Sequence, residues 1–245
     1  MRIVSLVPSL TLTLFDLGLG PDEIVGRTPW CIHPAQHVHE VPVVGGTKTP
    51  TLSKIAAAQP DLVVMDRDEN PKAVYDWCIE QGYATFVCHV NHPSDVPTML
   101  RDLGKAVNRM DEADGLASEL EDVLASIPEN NGRVALPLIW HEPLMAANGE
   151  TYAGGMLACM GYTVPIIDPN GTGYPEVTVE SIIEHGVTDL FLSSEPHEFS
   201  MEEGQRLAAA IEAAGATPPE LHMIDGEALT WMGSFTATGL RTLLS

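Results

Sequence analysis

The chain alternates short apolar runs with amphipathic runs along almost its whole length. Residues 2–7, 61–66 and 84–90 have the apolar character of buried strands, and helical spacing of apolar residues separates them. Strands alternating with helices of about ten residues are typical of parallel βαβ units. The pattern therefore predicts an α/β fold with parallel sheets.

Several residues mark where the predicted helices begin. We expect Ser9 to cap the first helix, and Asn70-Pro71 to begin another, with asparagine as the cap and proline at the first helical position. Ser200 and Glu203 have the spacing of a capping box, in which each side chain binds the other residue's backbone amide.

Residues 111–127 interrupt the alternation with one long amphipathic helix, which ends at Pro128. The strand–helix pattern then restarts, with strands expected at 133–141, 164–167, 189–193 and 221–225. We therefore expect two Rossmann-like α/β lobes joined by one long helix. The predicted ranges are 1–109 for the first lobe, 110–132 for the helix and connector, and 133–245 for the second lobe.

The two halves also resemble each other. Thr51 precedes Ile55 by four residues and Asp61 then opens a strand, as Thr178, Ile182 and Asp189 do in the second half. This similarity fits either an internal repeat or two independent copies of a generic helix–strand unit.

Charge and composition exclude several classes of protein. With 34 Asp and Glu against 12 Lys and Arg, the net charge is −22, which argues against nucleic acid or an anionic membrane as a partner. Most of the excess acid falls in residues 133–245, and we interpret it as a solvated surface suited to high salt or solubility. A hydrophobic content of 44% excludes disorder.

Four cysteines, Cys31, Cys78, Cys88 and Cys159, form no C-x-x-C pair, and we expect four separate buried thiols. The chain has no apolar stretch long enough to span a membrane and opens directly in a strand-like run without a signal peptide. We therefore expect either a periplasmic or extracellular protein whose upstream signal was removed, or a cytoplasmic protein. We also expect a monomer.

Catalytic signatures are missing from the sequence. It has no G-x-S-x-G, H-E-x-x-H or P-loop motif, and the Gly45-Gly46-Thr47 run has the wrong glycine spacing for a phosphate loop. The first strand–helix turn, Val7-Pro8-Ser9, lacks the glycines of a dinucleotide fingerprint. The pairs His37/His39 and His89/His92 are expected to be solvated loop histidines.

Several large or polar side chains follow predicted strands. In parallel α/β sheets, ligands bind beyond the carboxyl ends of the strands, and two lobes with such ends can enclose a cleft. The candidates in the first half are Trp30, His33, Asp66, Arg67 and Glu69. Those in the second half are Trp140, His141, Glu142, Ser193 and Glu195, with Trp231 as a third large aromatic face.

Seven stretches together resemble a known family, and the resemblance extends over nearly the whole chain. They read RIVSLVPSLTLTLFDLGLGPDEIVGRT, WCIHP, GGTKTPTLSKIAAAQPDLVVMDRDEN, WHEP, TYAGGMLACMGY, SSEP and DGEALTWMGS. Their order and spacing resemble the cobalamin and ferric-siderophore substrate-binding proteins of ABC importers. The resemblance implies a helical-backbone metal-receptor fold, with a ligand bound between two lobes that one stiff helix connects.

The resemblance also implies roles for particular residues. Trp30 and His33 fall where vitamin B12-binding members have aromatic side chains, whereas Thr47 and Asp66 stand where those members have tryptophans. The family docks on its permease through one surface acid per lobe, for which Glu69 and Glu195 are the nearest candidates here, although Lys72 stands near the position of the first.

We therefore expect a non-catalytic protein that binds a metal chelate. A corrinoid is the first candidate ligand, and a ferric siderophore or haem is the next. We also expect an ABC permease as a partner. No covalent cofactor and no resident metal are expected. His33 or His141 is a candidate axial ligand to the chelated metal. The predicted ligand-binding residues are Pro8, Ser9, Trp30, His33, Asp66, Arg67, Trp140, His141, Tyr152 and Trp231.

Two alternatives stay open at this point. One is a two-lobe enzyme that uses Asp66, Glu69, Glu142 or Glu195 as general acid or base. The other is direct chelation of a divalent ion by His33, His141 and carboxylates.

Overall fold

The structure is a computed structural model that describes residues 1–245 and divides into two compact units. Each unit is assembled from three separate stretches of the chain. The N-terminal unit comprises Met1–His89, Val96–Glu121 and Met232–Phe235, and the C-terminal unit comprises Val90–Asp95, Asp122–Trp231 and Thr236–Ser245. The three continuous ranges expected from the sequence stay a prediction about domain organisation.

The N-terminal unit contains one sheet of four parallel strands. These are β1 (Ile3–Ser5), β2 (Ile24–Gly26), β3 (Leu62–Asp66) and β4 (Ala84–Cys88), in the order β2-β1-β3-β4. Its helices are α1 (Pro8–Asp16), α2 (Leu52–Ala58), α3 (Lys72–Glu80), α4 (Val96–Val107) and most of α5 (Met110–Leu124). Every residue of β1 and β3 is buried, as expected for strands whose two faces are both covered.

The C-terminal unit has a second four-stranded sheet in the order β6-β5-β7-β8. Its strands are β5 (Ala135–Trp140), β6 (Met145–Ala146), β7 (Asp189–Ser193) and β8 (Glu220–Ile224). Strands β5, β7 and β8 are parallel, whereas the two-residue β6 is antiparallel to β5. The helices are α6 (Tyr152–Cys159), α7 (Val179–Glu184), α8 (Met201–Ala213), α9 (Gly226–Thr230) and α10 (Phe235–Leu243).

These elements confirm the predicted α/β class with two parallel-sheet lobes and a long intervening helix. The helix predicted over 111–127 is α5, which at 15 residues is about 22 Å long. The two similar sequence stretches also occupy equivalent places, since α2–β3 and α7–β7 each end in the third strand of their sheet order. No helix combines the length and apolar composition that crossing a bilayer requires.

The strand predicted over 164–167 is wrong. Pro165 has no amide to donate, and its carbonyl accepts from the Gly149 amide, while the Ile167 amide donates to the Asn148 side chain. The backbone is therefore engaged with the loop before α6, and only the neighbouring Thr163 forms a bridge, with Val134.

Two predicted helix caps are also wrong, whereas the capping box is confirmed. Helix α1 begins one residue earlier than expected, with Val7 at the cap position and Pro8 in the first turn, so Ser9 lies inside the helix. Pro71 occupies the cap position of α3, because the Asn70 side chain binds elsewhere. The Ser200–Glu203 capping box starts α8 as predicted.

Candidate functional site

Each unit has one sheet edge at which the carboxyl ends of its parallel strands meet. In the N-terminal unit, the carboxyl ends of β1, β2 and β3 and the segments that follow them hold most of the predicted site residues: Pro8, Ser9, Trp30, His33, Asp66, Arg67 and Glu69. In the C-terminal unit, the carboxyl ends of β5, β7 and β8 and the segments that follow them hold Trp140, His141, Glu195 and Trp231.

The loop after β2 is organised by a single arginine. The Arg27 side chain donates to the backbone carbonyls of Val38 and Val41 through Nε, at 2.7 and 3.1 Å, and to those of Thr28 and Cys31 through Nη1, at 3.0 and 3.3 Å. A planar guanidinium with several fixed donors suits this task. Arg27 was missed in the sequence because a lone arginine after a short strand carries no signal.

That loop presents Trp30 to solvent. The Trp30 side chain is 65% exposed, while the adjoining Cys31 is buried and its sulfur contacts the hydroxyls of Thr11 and Thr28 at 3.1 and 3.2 Å. His33 is half-buried and precedes a cis peptide bond to Pro34. Trp30 is thus an exposed ring on a loop whose backbone is held by hydrogen bonds.

Asp66 ends β3 and is 4% exposed. One carboxylate oxygen accepts from the backbone amides of Asp68 and Glu69 at 2.8 and 3.0 Å, and the other accepts from the Cys88 thiol at 3.1 Å. Burial raises the pKa of the Asp66 carboxyl, and these hydrogen bonds oppose the rise. The side chain holds a turn from which the exposed Arg67 and Glu69 project.

Asn70 completes this turn from the inside. Its side-chain oxygen accepts from the Asp66 amide at 2.9 Å, and its amide nitrogen donates to the carbonyls of Leu6 and Thr47 at 3.2 and 3.0 Å. Asn70 therefore ties the ends of β1 and β3 to the loop before α2. Sequence reasoning assigned this residue only to a helix start.

Pro8 and Ser9 form the start of α1. Pro8 is half-buried and Ser9 is 5% exposed, with its carbonyl accepting from the Thr13 hydroxyl at 2.8 Å. Little of Ser9 is therefore available to a ligand in this conformation.

In the C-terminal unit, Trp140 ends β5 with its ring 43% exposed. The indole nitrogen donates to the Glu142 carbonyl at 3.1 Å, which satisfies its polar edge within the loop. The next residue, His141, stacks on His197, with ring centroids 5.5 Å apart and planes inclined by 15°. A cis peptide bond joins Glu142 to Pro143.

His141 and His197 share one carboxylate. Oε1 of Glu203 lies 3.6 Å from Nδ1 of His141 and 3.0 Å from Nε2 of His197. His197 and Glu203 were missed because they follow β7 and begin α8, far from His141 along the chain. The clue in the sequence is a histidine six residues before a capping-box glutamate.

The segments after β7 and β8 approach closely. Ser193 Oγ donates to the Glu195 carbonyl at 2.6 Å and accepts from the Glu195 amide at 3.2 Å, which forms the turn that carries Glu195. A Cβ on Gly226 would lie 2.6 Å from the Glu195 backbone nitrogen. Only glycine fits at that position, and Glu195 is half-buried there.

Tyr152 and Trp231 are more enclosed than the sequence suggested. Tyr152 is 8% exposed and its hydroxyl hydrogen-bonds to the Thr236 hydroxyl at 2.8 Å, while burial raises the pKa of its phenol. Trp231 is 7% exposed. Their roles in ligand binding stay predictions, and in this conformation neither offers an open ring face.

Two groups of side chains in the C-terminal unit could supply metal ligands. The first is His141, His197 and Glu203. The second lies near the start of β7 and β8, where Asp189, Glu220 and His222 converge. Arg133 already occupies this group, with Nη2 2.7 Å from a carboxylate oxygen of Asp189 and 2.7 Å from one of Glu220. We therefore interpret it as an ion-pair network. The four cysteines are free and buried, as predicted.

Comparison with known proteins identifies the family to which the sequence is similar. The family model described as "Periplasmic binding protein" matches residues 3–212. A vitamin B12-binding protein of Pectobacterium carotovorum is 19% identical over 201 residues, which cover 80% of this chain and 72% of that protein.

Solved structures with the same fold include proteins that bind different ligands. The periplasmic vitamin B12-binding protein of Vibrio cholerae aligns with a TM-score of 0.81 and 17% identity over 99% of this chain and 94% of that one. The periplasmic haem-binding protein of the same organism aligns with a TM-score of 0.79 and 19% identity over 100% and 97%.

Proposed function

The chain belongs to the periplasmic binding protein family, and from that premise we propose that it binds a metal chelate, with a corrinoid first and a ferric siderophore or haem next. Members of this family are solute-binding proteins that serve ABC permeases, so the prediction of a binding protein rather than an enzyme is confirmed. The identity of the ligand is the step that we propose.

Two exposed tryptophans carry the proposal. Trp30 and Trp140 are 65% and 43% exposed. Trp30 lies in the loop after β2 and Trp140 is the last residue of β5, each at the carboxyl edge of its own sheet. Indole rings are usually buried. An exposed indole offers a flat apolar face, and a ligand that covers this face is bound more tightly because apolar surface is removed from water. A corrin or porphyrin ring is a flat apolar partner of this kind. The names of the vitamin B12-binding and haem-binding relatives support the same class of ligand.

Polar side chains at the two edges are proposed to orient the ligand. The exposed Arg67 guanidinium suits the carboxylate or phosphate groups at the periphery of such chelates. His33 or His141 is proposed as an axial nitrogen ligand to the chelated metal. Pro8, Ser9, Asp66, Tyr152 and Trp231 are more buried, and we assign them to shaping the walls around the ligand.

Docking on a permease is proposed to use Glu69 and Glu195. Glu69 projects from the turn that Asp66 and Asn70 hold, and Glu195 from the turn that Ser193 closes. Each acid therefore stands on a rigid turn, which suits pairing with an arginine of a partner. The cleft between the lobes that the resemblance implies stays a prediction.

The experiment is a titration of tryptophan fluorescence with cobalamin, cobinamide, haem and a ferric siderophore. We expect saturable quenching by at least one of the four, because a bound chelate would lie against Trp30 or Trp140. If none quenches the emission or raises the melting temperature, the metal-chelate proposal fails.

A matched pair of variants locates the site. Trp30→Ala is expected to weaken binding about tenfold or more, since covering a large aromatic side chain contributes roughly 1.5–3 kcal/mol. Ile79→Ala removes another exposed apolar side chain, 51% exposed on α3, away from the strand ends. An equal loss of affinity in both variants would contradict the role given to Trp30.

A further inference from the structure

We propose that His141, His197 and Glu203 form a binding site for one divalent transition-metal cation, with Zn²⁺ as the best fit. The site lies entirely within the C-terminal unit and needs no chelate. It shares only His141, one of the two candidate axial ligands, with the proposed function, and it differs from the sequence-based alternative that combined His141 with His33.

The geometry suits a shared cation. One ligand atom from each residue can be chosen so that all three lie within 4.8 Å of one another. The ligands of a tetrahedral zinc ion lie about 3.3 Å apart, because bonds of about 2.0–2.1 Å meet near the tetrahedral angle. The distances from Glu203 Oε1 to His197 Nε2 and His141 Nδ1, 3.0 and 3.6 Å, fall on either side of this value.

The carboxylate is held in position by its own helix start. Oε2 of Glu203 accepts from both the amide and the hydroxyl of Ser200, each at 2.7 Å, and Oε1 is left to face the imidazoles. A ligand whose second oxygen is fixed in this way is already oriented for the metal, as outer hydrogen bonds orient ligands in known metal sites. Glu203 is thus both a capping residue and the anionic ligand.

The rings are held as well. Phe199 packs edge-on against His197 and His141, with centroid distances of 4.6 and 6.2 Å. Trp140 packs edge-on against His197 from another direction, at 6.2 Å. His141, Phe199 and Glu203 also line a pocket of about 200 Å³, which leaves room for a fourth ligand such as water.

The donor set indicates the class of metal. Two neutral imidazoles and one carboxylate, with one position open, suit Zn²⁺ and chemically similar Co²⁺. The nearby Arg206 is engaged by Glu202 at 3.0 Å. No lysine or arginine is paired with Glu203, in contrast to the Asp189–Glu220–His222 group, where Arg133 takes that place.

The test uses the full chain, stripped of metal with EDTA and desalted, and titrated with Co²⁺ in the absence of any chelate. We expect visible d–d absorption that saturates at one equivalent and is displaced by Zn²⁺. His197→Ala and Glu203→Gln should each weaken binding about tenfold or more, and Ser200→Ala roughly tenfold through the loss of its outer hydrogen bond.

Two variants keep the result interpretable. Glutamine can replace glutamate in a capping box, so Glu203→Gln removes the charged ligand while the start of α8 is retained. His222→Ala removes a histidine from the ion-pair network and should leave Co²⁺ binding unchanged. Melting curves recorded in EDTA check that each variant is folded.

The possible outcomes separate the two proposals. Absence of the cobalt band, or a band unchanged in both His197→Ala and Glu203→Gln, or an equal loss in His222→Ala, overturns the metal site. A cobalt band without chelate quenching overturns only the proposed function. Chelate quenching without a cobalt band overturns only the metal site.

Discussion

Asp66 experiences two opposing influences at the end of β3. Its burial disfavours the charged carboxylate and raises the pKa, while two backbone amides and the Cys88 thiol donate to the carboxylate and favour it. Burial has the larger effect, so the native state holds a proton on this residue more tightly than the unfolded chain does.

This imbalance predicts a specific pH dependence. Because the pKa of Asp66 is raised in the native state above its ordinary value of 3.8, its contribution to stability should decrease as the pH rises from about 3.8 through the raised pKa. Asp66→Asn cannot ionise and should lose this decrease. The measurement is the free energy of urea unfolding of both proteins at a series of pH values.

Asp102→Asn provides the control, since it removes an exposed carboxylate from α4. The difference in stability between wild type and Asp66→Asn should fall with rising pH, and this fall should exceed any change for the exposed Asp102→Asn. Parallel curves for the two variants would contradict the buried role of Asp66.

At the scale of elements, Asn70 joins two strands and a loop. Its amide group satisfies the Asp66 amide and the carbonyls of Leu6 and Thr47 at a site where Asn70 itself is 7% exposed. Buried backbone groups that lose their partners each cost roughly 1–3 kcal/mol. This residue therefore stabilises the edge that carries Trp30 and Arg67.

Asn70→Ala is expected to lower the free energy of unfolding by about 3 kcal/mol, measured by chemical denaturation. Thr178→Ala is the comparison, because Thr178 is a true cap that accepts from the Ser181 amide at the start of α7, and its loss should cost about 1 kcal/mol. Equal effects of the two substitutions would contradict the role of Asn70 in joining β1, β3 and the loop before α2.

Local elements show how far sequence patterns reach. The Ser200–Glu203 box could be predicted because its two partners lie three residues apart and bind each other. The absence of a strand at 164–167 could not, since it depends on Asn148 and Gly149, which are distant along the chain. Apolar runs identify segments that can be buried, whereas strand pairing requires a free neighbouring edge.

At the scale of the whole molecule, the net charge of −22 is a source of self-repulsion. Glu184 and Glu212 add to it unfavourably, because both are exposed near the carboxyl ends of α7 and α8, where the helix dipole disfavours negative charge. Dissolved salt screens these interactions over about 10 Å at 0.1 M.

We therefore expect the melting temperature to rise between low salt and 1 M KCl. A Glu184→Gln/Glu212→Gln double variant should be more stable at low salt by about 1 kcal/mol and should show a smaller rise. Calorimetric scans at several KCl concentrations measure both effects. A melting temperature that falls with salt would indicate that ion pairs such as those of Arg101 with Asp114 and Glu121 outweigh the repulsion.

The sequence by itself determined the α/β class, the long helix and the segments that carry candidate ligand-binding residues. Periodicity and capping are local properties, because they depend on residues that are close together in the chain. Only the tertiary structure decided which candidates remain exposed. Trp30 and Trp140 do, whereas Tyr152 and Trp231 are enclosed by parts of the chain that local patterns cannot place.

The tertiary structure also decided which residues meet. His141 and Glu203 are far apart in the sequence, yet they approach because β5 and β7 are parallel neighbours whose carboxyl ends lie side by side. Charge and composition describe what such side chains can bind, but only the order of strands in the sheet brings two imidazoles and one carboxylate to the same point.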